Sequence, residues 1–154
     1  MQRIERQITV NVPASVAYAQ WTQFEEFPRF MEGVEQVQQL DEKRLFWRAQ
    51  IWGQAVEWEA EIYEQLPDQR IAWRSTVGHP NSGAVYFAPL EADRCVITLA
   101  LEYEPLGAAE KVADALGALA LRVEGDLRRF RDFIEDLGVP TGRWAGEIGG
   151  SVGS

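Results

Sequence analysis

Cysteine and histidine are nearly missing from this chain, and each absence removes a class of chemistry. Cys95 is the one cysteine in 154 residues, so there is no internal disulfide and no cysteine metal cluster. His79 is the one histidine, in the Gly- and Pro-bounded loop GHPNSG, where a surface histidine without a role is commoner than a general base. There is no Ser/His/Asp set, no pair of inward carboxylates and no metal-ligand spacing, so no catalytic residue, metal or cofactor is assigned. Positive charge is in deficit as well. The net charge of −9 argues against nucleic acid, which needs a positive field, and against a membrane surface bound through charge. Long apolar runs are lacking: the longest, Ala115 to Leu121, is too short to span a bilayer, so no stable membrane insertion is expected. The N-terminus, MQRIERQITV, carries charges where a signal peptide would carry an apolar core, and the expected location is cytoplasmic.

What the chain does contain is organised around its C-terminal stretch, Ala108 to Leu137. Val112, Leu116, Leu119, Val123, Leu127, Phe130, Ile134 and Leu137 recur at three- and four-residue steps, which is one apolar stripe along a long helix. Pro105 and Gly107 precede the run, and Gly138 and Pro140 end it. Such a stripe is not stable in water alone, so a broad surface must cover it.

The upstream chain predicts that surface as a sheet. Ile4, Ile8, Val10 and Val12 alternate with polar residues as a first strand that Pro13 ends. Ala14 to Gln23 reads as a short helix, and FEEFPRFMEGV as a second helical turn with an aromatic inner side. Strands then follow one another. Val34 to Leu40 is the weakest. In Arg44 to Gly53, residues Leu45, Trp47, Ala49 and Ile51 point inward, and Gly53-Gln54 suggests a hairpin turn. Gln54 to Gln65 sets Val56, Trp58, Ala60 and Ile62 against Glu57, Glu59 and Glu61, and Arg70 to Val77 sets Ile71, Trp73, Ser75 and Val77 against Arg70 and Arg74. Strands holding Val85 and Phe87, then Cys95 to Tyr103, complete the run. The glutamates alternate with core positions and read as a solvated face, flanked by Arg48 and Arg74 on adjacent strands.

The domain is taken as residues 1–137, with 138–154 a Gly-rich tail expected to be loosely ordered. Gly117, Ala118, Leu121 and Gly125 lie opposite the apolar stripe, where charge would be usual. This patch is a candidate surface for docking the tail or a second copy of the chain, and a helix that bends at glycine explains it equally well.

In order, VPASVAYAQWTQFEEFPRFMEGVEQV, LFWRAQIWGQAVEWEAEI, LPDQRIAWRS, SGAVYFAPL and ITLALEYEP resemble the START-like (SRPBCC, helix-grip) superfamily over about residues 4 to 137. The branch they are most similar to is that of polyketide cyclases/dehydrases and coenzyme-Q-binding START proteins. The resemblance implies an α+β helix-grip fold: a curved antiparallel β-sheet wrapped around a long C-terminal α-helix, with two short helices after the first strand. It also implies a cavity between sheet and helix for an apolar ligand. Only some members are enzymes, so fold does not settle function.

The candidate ligand-binding residues are Trp47, Trp58, Trp73 and Ser75 on the middle strands; Phe87, Leu99, Leu101 and Tyr103 on the last two; Leu119 and Val123 on the helix; and Phe27, Phe30 and Met31 at the entrance. The small inward residues Ala49, Ala60 and Ser75 leave room between the large ones. A plain aromatic core is the competing reading of the three tryptophans. The favoured function is binding or carriage of a hydrophobic small molecule: a lipid, an isoprenoid or quinone, or an aromatic polyketide-like compound. The alternatives are a cyclase or dehydratase using Tyr86, Tyr103 or His79 as proton relay, and a protein-interaction module similar to the ribosome-association toxins.

Overall fold

The computed structural model describes residues 2–51, 54–103, 112–144 and 148, without the side chains of Gln2, Ile51 and residues 112–118. Seven antiparallel strands form one sheet: β1 (Gln2–Val10), β2 (Val34–Gln39), β3 (Arg44–Ile51), β4 (Gln54–Leu66), β5 (Arg70–Gly78), β6 (Asn81–Glu91) and β7 (Arg94–Tyr103). Their order is β1-β7-β6-β5-β4-β3-β2, so β2 to β7 run as a meander and β1 adds to its far edge. The sheet curls around the long helix α2 (Val112–Leu137), giving the α+β helix-grip fold. Among the described residues, no helix is long and apolar enough to cross a membrane.

Local sequence sets each connection. β1 ends at Val10, short of the expected Val12, and Pro13 stands at the N-cap of α1 (Ala14–Trp21). The helix stops two residues short of the expected end, where the Thr22 hydroxyl donates to the Ala19 carbonyl at 2.5 Å. The second helical turn is a 3-10 helix, Phe24–Arg29. Side chains three residues apart eclipse in a 3-10 helix, so the three-residue step puts Phe24 and Phe27 on one buried side. Gly138, at φ 72°, closes α2 in the left-handed conformation, its N–H donating to the Ile134 carbonyl at 2.8 Å. Residues 108–111 and Gly53 lie outside the described residues, as do the side chains of Val112 and Leu116.

The core lies between α2 and the sheet. Val123, Leu127, Phe130 and Ile134 hold the expected stripe and are buried against Leu45, Ile62, Ile71, Val85 and Ile97. Burying each such side chain stabilises the fold by about 1.5–3 kcal/mol. Leu137 does not join them and is largely exposed in the last turn. On the outer face the charge pairing is as the alternation predicts: Arg48 meets Glu57 at 2.7 Å and Arg74 meets Glu61 at 3.4 Å.

Two bulges in the β4–β5 pairing change which residues face inward. Ala60 pairs with Ser75 but Glu59 pairs with Val77, so one residue of β5 is skipped. Val77 thereby joins the outward row of Glu59, and it is 60% exposed instead of buried. The second irregularity falls between Ile62 and Glu64; beyond it Gln65 pairs with Ile71 and both are buried.

Of the tail, residues 138–144 and 148 are described, and several of them bond to the domain. Thr141 exchanges two hydrogen bonds with the buried side chain of Gln20, and the Trp144 N–H donates to the hydroxyl of buried Thr22. Ile148 forms a β-bridge with Gln65, with N···O distances of 2.7 and 2.9 Å. These segments provide partners for polar groups that α1 and β4 carry into the interior, which is why they dock.

Candidate functional site

A cavity of about 170 Å³ lies between the sheet and the N-terminal half of α2. An engineered apolar cavity of about 150 Å³ holds benzene, so there is room for a small ring system. Trp47 and Trp58 are direct cross-strand partners on β3 and β4, and their rings stack at 5.6 Å and 7° on one wall. Trp73 on β5 pairs with Gly83 on β6, and its ring lies across the glycine. A Cβ added to Gly83 would fall 2.5 Å from Trp73, so only glycine admits the indole there. Phe27 packs against Trp47 and, with Trp21, closes the inner end.

One rim of the cavity is polar and tied to α2. The Glu32 N–H donates to Asp126 at 2.9 Å, the Arg129 Nε to the Phe30 carbonyl at 2.9 Å, and Arg122 to the Gln50 carbonyl at 2.8 Å. Arg129 also bonds Asp126 directly. Gly33, at φ 89°, turns the chain into β2 against the Arg122 guanidinium, which an added Cβ would meet at 2.7 Å. Burial pushes the Asp126 carboxyl up to about 6, although Arg129 and the Glu32 N–H favour its charged form. Burial likewise raises the Tyr103 hydroxyl.

Most candidate residues from the sequence come together here. Trp47, Trp58, Trp73, Leu99, Leu101 and Tyr103 of the sheet, Leu119 and Val123 of α2, and Phe27 and Met31 all line the cavity, as does Ala49. Three do not. Phe87 is turned toward the ring edges of Tyr18 and Trp21, and Phe30 is packed between Phe130 and Phe133. The Ser75 hydroxyl accepts the Asn81 N–H at 3.0 Å and braces the turn into β6. That turn brings His79 to the cavity wall, whereas its loop context predicts surface. Tyr86 is on the outer face of β6 and 40% exposed, away from the cavity.

Arg122, Asp126, Glu32 and Gly33 line the cavity without having been singled out by sequence. A signal existed: Arg122 and Asp126 stand three and seven residues beyond Leu119, on the helical face that Leu119 and Val123 define. The small-residue patch on α2 has a partly local explanation. An added Cβ at Gly125 would meet the Arg129 guanidinium at 3.1 Å, so the glycine makes room for an arginine one turn on. The side chains at 117 and 118 lie outside the described residues, Leu121 is 68% exposed, and the described tail docks elsewhere, at Gln20, Thr22 and Gln65.

Residues 10–131 match the model of a family described as polyketide cyclase / dehydrase and lipid transport. An uncharacterised 17.2 kDa protein of Streptomyces lincolnensis is 42% identical over 149 residues, covering 96% of this chain and 99% of that one. Among solved structures, a START superfamily protein from Mycobacterium smegmatis superposes with a TM-score of 0.73 at 16% identity, over 88% of this chain and 98% of that one. The Streptomyces aromatase/cyclase Zhui superposes with a TM-score of 0.74 at 18% identity, over 93% of this chain and 99% of that one. At these identities the two structures establish the shared fold.

Proposed function

Because the chain belongs to the polyketide cyclase/dehydrase and lipid transport family, we propose that its cavity holds a hydrophobic small molecule that is carried or sensed. The observation that carries this reading is the parallel Trp47–Trp58 pair beside an unfilled apolar space, a surface on which a flat ring can stack. The buried indole N–H groups of Trp21, Trp47 and Trp58 have no hydrogen-bond partner among the described residues.

A cyclase or dehydratase is the second reading, and one observation favours it. Asp126 stands at the cavity wall with its carboxyl held at about 6, where it can take and give a proton near neutrality.

Native mass spectrometry of protein purified from a lipid-rich host, followed by denaturing extraction, tests binding. The expected result is an apolar molecule at near one-to-one occupancy in the wild type and clearly lower occupancy in Trp73→Ala. Equal occupancy in the two proteins would move the site away from this wall.

A further inference from the structure

We propose that Arg122 and Arg128 form a subsite for an anionic group, a carboxylate or phosphate, tethered to the apolar body that the cavity holds. The proposal rests on the binding reading above and narrows the ligand to an amphipathic acid.

The first observation is one of charge pairing. This protein has an excess of acids, and its arginines are almost all within 4 Å of one. Arg3, Arg6, Arg29, Arg44, Arg48 and Arg70 are so paired, as are Arg74, Arg94, Arg129, Arg131 and Arg143. Arg122 and Arg128 are the two arginines in no ion pair among the described residues.

The second observation is where those two stand. Both border one recess on α2, together with Glu32, Leu121, Gly125 and Arg129. Arg122 and Glu32 also line the apolar cavity, so recess and cavity share a rim. A ligand body in the cavity therefore has its outer end beside the recess.

The local charges favour an anion there. Glu32 and Asp126 are the acids that face this region, and Arg129 lies between them, bonded to Asp126 and 3.9 Å from the Glu32 carboxylate. Arg122 spends one of its N–H donors on the Gln50 carbonyl, which fixes the guanidinium and leaves the rest of its fork. Arg128 is exposed at the recess edge. Both side chains border the recess, so a carboxylate or phosphate seated there can accept from the remaining N–H donors of each.

The test compares naphthylbutanoate with its neutral amide, naphthylbutanamide, by titration calorimetry on the wild type and on Arg128→Gln. The wild type should prefer the carboxylate by about tenfold in low salt, and the preference should shrink between about 50 and about 500 mM salt. Arg128→Gln should bring the ratio close to one. Equal binding of the two probes by the wild type, or an unchanged ratio in Arg128→Gln, would overturn the subsite while leaving the cavity reading intact. If neither probe binds, both readings fail. Inorganic phosphate, titrated with the amide present, separates a tethered anion from a free one. No gain in amide affinity is expected, and cooperative binding of the two would overturn the tethered form.

Discussion

The two ends of the space between sheet and helix are built from the same kind of residue and do opposite things. At the inner end, Trp21, Phe27, Phe30 and Phe130 interlock at 4.9 to 5.6 Å between ring centroids, three of the pairs edge to face and Phe27–Phe30 tilted, and all four are buried. Farther along the same sheet, Trp47, Trp58 and Trp73 border a cavity. The difference comes from what stands opposite. The inner aromatics arrive from three elements, α1, the 3-10 helix and α2, and interlock. The three tryptophans all arrive from one sheet, with Ala49 and Gly83 as neighbours and Leu119 and Val123 across the gap. Aromatic content therefore does not distinguish core from pocket; the number of directions from which the rings converge does.

Breaking the closed end should have the largest effect. Phe130 is fully buried against Trp21 and Phe30, so Phe130→Ala should cost about 3–5 kcal/mol of unfolding free energy in a denaturant titration. A loss under about 1 kcal/mol would mean that the closed end is looser than its ring contacts indicate.

The open end should reveal itself through pH. The Asp126 carboxyl is raised to about 6, above its unfolded value of about 3.9, so its contribution to stability is complete below about pH 4 and is lost as pH rises through 6. Relative to Asp126→Asn, which has no such proton, the wild type should therefore gain as pH falls from about 7 to about 4, by up to about 3 kcal/mol. A difference that stays flat over that range would show the carboxyl to be better solvated than its burial implies.

The smallest effect should come from turning open space into filled space. Gly83→Ala pushes the Trp73 ring off β6 toward the cavity, at a cost of about 1–3 kcal/mol. It should also shift the tryptophan emission spectrum. Unchanged emission and stability would show that Trp73 has slack where the structure gives it none.

Periodicity carried the architecture because the buried surfaces are regular. Leu45, Trp47 and Ala49 alternate cleanly, and Val123, Leu127, Phe130 and Ile134 follow the helical repeat. It failed where one residue interrupts the period. The skipped residue between Ser75 and Val77 sends Val77 outward, and the irregularity after Ile62 leaves Gln65 buried. An alternation rule cannot place a bulge, because the residues on either side still alternate. The cavity was half legible for a related reason. Its apolar walls lie on predicted faces, whereas Arg122 and Asp126 look like ordinary helix polarity until the loop from Phe30 to Gly33 folds over them. Gln20 and Thr22 were missed in the same way, since their partners, Thr141 and Trp144, are more than a hundred residues away.

The strand order has a consequence for how the protein is made. β1 pairs along its whole length with β7 and is an edge strand on its other side. Within this domain it is synthesised ahead of the other six strands, and its sheet partner is complete only at residue 103. The α1 polar groups wait longer still, for Thr141 and Trp144. The meander from β2 to β7 can close hairpin by hairpin during synthesis, but the side chains of Gln20 and Thr22 wait for residues 141 and 144. Contacts of such sequence separation slow folding, so β1 and α1 are the elements of this domain that wait longest for their partners.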